Sequence, residues 1–435
     1  MPGRGEKLAQ DLGTRVKKLR ERLRLSQAEL ARAAGVTSSY MSLVEGGHRL
    51  PRQPHLEAIA LALKATSDYL LTGNAGCDRL QSEVDFAEIA LRNGDRDTAL
   101  KGFQSVVGDS AANLCTEVLR QAQWGLARTN EQLGDYDAAL AVLDDLRAAT
   151  DLPASMDATA VVTETCYVLL KKGEFSQAIK VGQAELDRLR AMDAGLKAVR
   201  TKGFTELAST LVGCYRELGQ LAEAQDLAQE AIGVAEKRGT LRERGAAYWQ
   251  AATAAKAAGN LSLARALNDR AKALASEDAN DRAVASLKVN GASFALADKD
   301  PDLPGIISDL KEALEVFKTD GSSVEMAETL RVLASAHLLA KDLTAAWDAI
   351  TEAAAYVPAN AVVERAYILK VEGEIRQKRG DRKEDIVSAY TGAAKALAEA
   401  TVKHESRLLL RDVATGLMEA GASEQAADLL LRLVG

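Results

Sequence analysis

Gly134-Asp135-Tyr136-Asp137-Ala138-Ala139-Leu140 is the stretch on which the fold turns. A glycine permits the left-handed turn that ends one helix, and the alanine five places on lets the next helix lie close against it. The frame recurs. Gly94, Gly134, Gly173, Gly219 and Gly259 are followed by Lys299 and Lys341 in equivalent places, then by Gly380 and Gly421, at gaps of 40, 39, 46, 40, 40, 42, 39 and 41 residues. Alanine stands five residues after the turn at Ala99, Ala139, Ala178, Ala224, Ala264, Ala346 and Ala426, with Pro304 and Asp385 as the exceptions. The period predicts nine helix pairs from residue 74 onward, least regular near Pro301–Pro304 and Asp385.

Composition agrees with helix. The 435 residues are 47% apolar and 27% charged, with 7 prolines and 4% aromatics, too few prolines for a loop-rich all-β chain. No apolar run approaches the roughly 18–20 residues that span a bilayer. Met1-Pro-Gly-Arg-Gly-Glu-Lys7 lacks the apolar core of a secretion signal, so a soluble, cytoplasmic chain is expected. Cys77, Cys115, Cys166 and Cys214 have no close Cys or His partner and read as packing residues, in neither a zinc site nor a disulfide framework. No cofactor or metal is expected. GxxxxGK[ST], HExxH and GxSxG are absent, and the four histidines, His48, His55, His337 and His404, are scattered, which argues against an enzyme.

The net charge of −7 divides unevenly. Residues 1–73 carry 12 Lys/Arg against 7 Asp/Glu, net +5, leaving 43 against 55, net −12, in residues 74–435. Contact with nucleic acid is therefore expected in the head alone.

Within that head, Leu12, Val16, Leu19 and Leu23 recur at helical spacing and predict a helix over 8–24. Ser26 and Glu29 form a capping-box pair that starts a second helix at Gln27, which Gly35 stops near Ala34. Thr37 caps a third helix, Ser38 to Glu45, ended by Gly46-Gly47. Pro51 and Pro54 precede a fourth helix over about 55–64, and Ser67–Gly73 reads as a fifth. Two short helices about a glycine turn are the helix-turn-helix geometry, whose second helix can enter the major groove. Val36, Met41 and Val44 make the inward stripe, leaving Ser38, Ser39 and Ser42 outward, where hydroxyls can meet base edges or phosphates. Serine reads bases weakly, so half-site spacing and DNA shape are expected to add specificity. Arg49 and Arg52 are placed to meet phosphates.

These residues, over about 8–73, resemble the XRE, or lambda-repressor-like, helix-turn-helix family: Arg20, Ser26-Gln27-Ala-Glu-Leu-Ala31 and Gly35-Val36-Thr37-Ser38-Ser39-Tyr40-Met41-Ser42-Leu43-Val44-Glu45-Gly46. The resemblance implies that Gln27 binds a DNA phosphate and that Arg20 and Glu45 form a structural ion pair. Leu43 departs from the pattern, standing where several members carry a polar base reader; it either meets a thymine methyl or packs.

The body resembles the tetratricopeptide repeat, though the usual period is about 34 residues, so these helices are each longer by nearly a turn. The fold class expected is thus all-α: a five-helix lambda-repressor-like DNA-binding domain, 1–73, followed by a TPR-like α-solenoid of about nine helix pairs, 74–435, for ligand binding and dimerisation. In tetratricopeptide proteins the positions ten and six before the turn face the groove. Here the first of these gives Trp124, Thr163, Ser209, Trp249, Val289, Arg331, Lys370 and Arg411, and the second adds Arg128 and Tyr167. Aromatic pads followed by cations suit an acidic or carboxylate-bearing peptide, with Asn290 able to bind its backbone. The cations equally read as partners of neighbouring acids. The terminal Leu429-Leu-Leu431-Arg-Leu433 is apolar enough to cap the solenoid or dock on another subunit.

An XRE head on a tetratricopeptide body is similar to the Rap/Rgg/NprR/PlcR/PrgX peptide-sensing, quorum-sensing regulators of Gram-positive bacteria. That resemblance implies a transcription regulator that binds a double-stranded DNA operator as a homodimer, senses a peptide or small-molecule ligand and has no membrane partner. The alternative is a TPR scaffold that recruits a protein partner to DNA. An enzyme, for example a phosphatase-like activity as in some Rap-type proteins, is a third reading, without supporting residues.

Overall fold

The two helices of the head's central turn start at local capping signals. Ser26 and Glu29 close the capping box of α2, Gln27–Ala33, and Thr37 accepts the Tyr40 amide at the start of α3, Ser38–Glu45. In the computed structural model, which describes residues 4–73, 76–149, 152, 157–191, 199–358, 361–398 and 404–434, these follow α1, Arg4–Arg22, and precede α4, Gln53–Ala62, and α5, Ser67–Thr72. Helix α1 stops short of the expected 24 because Arg24 takes a left-handed φ of 55°. Helix α4 begins before Pro54, since first-turn amides need no intrahelical partner, and stops early because Lys64 turns left-handed at φ 52°. Leu12, Val16, Leu30, Met41, Val44, Ile59 and Leu70 are fully buried and bring the five helices onto one core. Gly13 permits the closest approach: a Cβ there would stand 2.4 Å from the Val44 carbonyl oxygen, so α1 and α3 touch backbone to backbone.

The chain divides into two compact units, residues 1–168 and 169–435. In the first unit the head is followed by α6, Cys77–Arg92, α7, Arg96–Gly108, a short 3₁₀ turn at Ser110–Leu114, α8, Thr116–Leu133, and α9, Tyr136–Ala148. Helix α10, Ala158–Lys172, straddles the division. The second unit continues with α11, Phe175–Ala191, α12, Val199–Glu217, α13, Leu221–Arg238, α14, Leu241–Ala257, α15, Leu261–Glu277, α16, Asp281–Ala295, and α17, Leu303–Asp320. It ends with α18, Ser323–Leu339, α19, Leu343–Tyr356, α20, Val362–Arg379, α21, Lys383–Ala398, α22, His404–Glu419, and α23, Ser423–Val434. Among the described residues the eighteen helices from α6 to α23 make nine pairs in sequence, and no strand is present.

Eight of the nine pairs turn left-handed where the spacing predicts. Gly94, Gly134, Gly173, Gly219, Gly259, Lys341, Gly380 and Gly421 all take positive φ, between 63° and 85°. The next residue then caps the second helix in several pairs, through the side chains of Asp95, Asp135, Asn260 and Asp342. Ala99, Ala139, Ala178, Ala224, Ala264, Ala346 and Ala426 are each 0% exposed, which leaves no room for a larger side chain without moving a helix.

Two positions require correction. Lys299 is not a left-handed turn; the chain runs on through irregular backbone to Asp302, which caps α17, and Ile306 rather than exposed Pro304 takes the buried place. Likewise Arg382 supplies the first helical carbonyl of α21, to the Ile386 amide, so Ile386 rather than Asp385 is buried. Extra turn residues, two and one respectively, shift the frame, and the core takes whichever side chain then faces inward.

The cysteine reading also needs correction. Cys77 and Cys115 are joined in a disulfide, with Cα atoms 5.6 Å apart. Their separation of 38 residues is close to one repeat, so the chain returns each to the start of a first helix, α6 and α8, side by side. Cys166 and Cys214 are both buried at 0% exposure, as packing residues should be. Among the described residues no helix is long and apolar enough to cross a membrane, and no His/Cys/Asp/Glu group could hold a metal ion.

Candidate nucleic-acid interface and ligand clefts

Helix α3 is held from beneath by its own last residue. The Glu45 side chain, 3% exposed, accepts Arg20 Nε at 2.6 Å and Nη2 at 3.0 Å from α1, and Gln27 Nε2 at 2.7 Å from α2. The carboxylate raises the Arg20 pKa further above its ordinary value, chiefly through this hydrogen bond, and Arg20 Nη1 also donates to the Leu25 carbonyl at 2.8 Å. One buried carboxylate thus fixes the mutual angle of three helices. Gln27 spends one amide hydrogen on Glu45 and stands half-buried in the first turn of α2, the end of the helix whose dipole favours an anion.

With Met41 and Val44 at 0% exposure, Thr37, Ser38, Ser39, Ser42 and Leu43 are left on the outer side of α3. Leu43 is 43% exposed, one turn after Ser39, so it is not a core residue. Arg49 and Arg52 are both exposed beyond the helix. The Arg49 guanidinium lies 4.6 Å over the Tyr40 ring, whose other neighbour is the His55 ring at 5.3 Å. Tyr40 and His55 are thus additions to the sequence-derived set. Their only signal was an aromatic at the third position of α3 close to two arginines, and the stack ties Arg49 to α3 through Tyr40.

The groove positions fall in both units. In the first, Trp124 packs beside Ala127 and Val161, Arg128 is exposed, and Tyr167 is half-buried. Glu164, between them in sequence and half-buried, has its pKa raised by burial and by Glu131, with Arg128 opposing. In the second unit, Trp249 is 40% exposed and lines a cleft of about 430 Å³ with Leu241, Ala246, Ala275, Ala283 and Leu287, and with Arg242 and Glu325 as charged members. Lys370 lines a second cleft of about 530 Å³, together with Leu338, Glu374, Tyr390, Asp412 and Glu419. Arg331 and Arg411 line neither of these, nor does half-buried Asn290.

Each of the three cations has a carboxylate on its own helix. Arg331 makes a bidentate pair with Glu328 at 2.6 and 2.8 Å and lies 5.1 Å over the Tyr367 ring; Lys370 pairs with Glu374 at 2.7 Å, and Arg411 with Asp412 at 3.9 Å. Arg331 and Lys370 are thus closely paired within their own helices, whereas Arg411 is 67% exposed and its contact with Asp412 is a weak surface one; the cleft beside Trp249 has the more apolar wall.

Residues 11–70 match the family described as helix-turn-helix domain. No curated protein matches the chain. Among solved structures, a Rap protein complexed with competence and sporulation factor is 14% identical with a TM-score of 0.52, covering 82% of this chain and 97% of that one. The apo form of RapI is 12% identical, TM-score 0.51, covering 81% and 97%. Aspartyl phosphate phosphatase F from Bacillus subtilis is 12% identical, TM-score 0.50, covering 81% and 92%. At such identities the likeness is one of fold, a helical repeat solenoid. With a helix-turn-helix domain at residues 11–70 and repeat helices behind it, the chain has the build of a DNA-binding regulator.

Proposed function

We propose that the chain is a sequence-specific transcriptional regulator: residues 1–73 read a double-stranded operator, and residues 74–435 dimerise the protein and bind a peptide or other small ligand. The observation that carries this reading is α3 itself. Its outer face is free of core contacts while its inner face is anchored by the Glu45 network, so Ser38, Ser39, Ser42 and Leu43 are presented as a unit on a basic head. Thr37, Gln27, Arg49 and Arg52 flank that unit and serve the phosphates. Two heads in a dimer then read half-sites about 34 Å apart, or a multiple of that.

For the ligand, the Trp249 cleft supports an apolar side chain of a peptide, with Arg242 beside it to pair a carboxylate. A ligand that prefers one curvature of the repeats alters head separation only by its difference in affinity between the two shapes. The test is selection of random duplex DNA by the full-length protein, followed by affinity measurements on the selected duplex. Gln27→Ala should weaken binding to all duplexes alike, whereas Ser39→Ala should change preference among sequences. No enrichment at moderate salt, or an equal loss for both variants on every duplex, would overturn the reading.

A further inference from the structure

The disulfide lies where the head meets the first repeat. Two segments of the first unit lead from head to body. One is the covalent connection: Gly73 ends α5 with φ 78°, and Cys77 opens α6. The other is the 3₁₀ turn Ser110–Leu114, which docks back onto the head, because Leu114 packs against the head core and Arg22 Nη2, at the end of α1, donates to the Asn113 carbonyl at 3.3 Å. Cys115 closes that turn and is the N-cap residue of α8. The Cys77–Cys115 bond therefore ties the two segments together. The Arg79–Asp109 ion pair, at 2.6 Å and open to solvent, is a second tie between α6 and the start of the same turn, and a weak one.

The two sulfurs differ in access and share an electrostatic setting. Cys77 is half-buried and Cys115 is 5% exposed, so an attacking group reaches Cys77 first and Cys115 is the leaving thiolate. Both stand at helix N-termini, where unpaired amides stabilise a thiolate and make the bond exchangeable. Cys166 and Cys214, buried at 0%, offer no competing surface thiol.

We propose that Cys77 and Cys115 are a reversible dithiol–disulfide pair that sets how firmly the helix-turn-helix head is held to the first repeat. Oxidation by a peroxide proceeds in two steps. The Cys77 thiolate attacks a peroxide oxygen, giving a sulfenic acid and, from hydrogen peroxide, water. The Cys115 thiolate then displaces the sulfenic hydroxyl as a second water, so two thiols and one peroxide yield one disulfide and two waters. In the reverse direction an external dithiol attacks Cys77 Sγ, releases the Cys115 thiolate, and then displaces Cys77 with its second sulfur, leaving oxidised as the cysteines are reduced. The oxidised form holds the head in one orientation, which narrows the half-site spacings a dimer accepts; the reduced form loses that covalent tie and relies on non-covalent contacts such as those of Leu114 and Asn113. This regulatory consequence rests on the DNA-binding reading above, whereas the thiol chemistry does not.

The experiment is amide hydrogen exchange on full-length protein, treated with hydrogen peroxide or with dithiothreitol, beside the Cys77→Ser/Cys115→Ser variant. Exchange over residues 20–25 and 111–115 should be at least about tenfold faster in the reduced protein, and the variant should match the reduced form in either reagent. Equal exchange in both redox states overturns the proposal, as does a peroxide response in the variant. Native-state labelling with a maleimide checks the chemistry without any substitution. At least one addition, at Cys77, after dithiothreitol and none after peroxide are expected; reduction that requires denaturant makes the bond structural and sinks the switch. The selected duplex is then tested for spacing preference in both forms. If exchange responds but no duplex is ever enriched, the redox pair stands and the DNA-binding reading falls.

Discussion

Replacing Glu45 by alanine removes the acceptor of three hydrogen bonds, two from Arg20 and one from Gln27, in a place where the carboxylate is 3% and the guanidinium 12% exposed. Breaking a buried pair by deleting one partner costs about 3–5 kcal/mol, because the other charge is left desolvated. Arg20 keeps the Leu25 carbonyl at 2.8 Å, which places Glu45→Ala at the lower end, about 3 kcal/mol. At about 1.4 kcal/mol per factor of ten, the core amides of Met41 and Val44 should exchange roughly a hundredfold faster where exchange follows opening of the head. Glu45→Gln, which keeps an acceptor oxygen and loses the charge, should cost about half as much. The double variant Arg20→Met/Glu45→Leu should cost less than Glu45→Ala alone, since an apolar pair of similar volume leaves no unpaired charge. Hydrogen exchange on full-length protein measures all three. A Glu45→Ala protein within threefold of wild type would mean that water reaches Arg20, and the picture of one buried carboxylate fixing three helices would be abandoned.

Gly125→Ala would put a Cβ about 2.3 Å from the fully buried Phe103 ring, so α8 must move; a loss of about 1–3 kcal/mol is expected in denaturant titration, and an unchanged midpoint would show that the ring has slack. Glu164, whose folded pKa is raised by burial, contributes full stability only below the ordinary glutamate value of about 4.3, and that stability is lost as pH rises through the raised folded pKa. Thermal melts of Glu164→Gln should therefore gain on wild type from about pH 4 to pH 7, and parallel curves would refute the shift. Burial likewise lowers the His337 pKa, so the opposite sign applies: stability is lost as pH falls below about 6.5, and His337→Gln should lessen that loss in acid melts. Trp249→Ala should abolish any ligand-dependent change in DNA affinity while leaving ligand-free affinity intact; a retained response would move the ligand site away from the apolar cleft.

The sequence by itself determined what depends on neighbours within one turn. Capping at Ser26 and Thr37, the left-handed glycines and the buried alanines are settled by backbone sterics and by contacts three to five residues apart, so spacing reports them directly. The inward stripe of α3 was legible for the same reason. Contacts that close over longer stretches were not. Asp302 rather than Lys299 sets the sixth turn, because a loop absorbs two added residues at little entropic cost and the core then selects Ile306. The carboxylates beside Arg331 and Lys370 were present in the sequence at helical spacing, yet only packing against Tyr367 and the neighbouring helices decided which way those side chains turn. Cys77 and Cys115 looked solitary at 38 residues apart; stacking one repeat on the next brought their Cα atoms to 5.6 Å, a distance that side-by-side first helices impose and that no local pattern encodes.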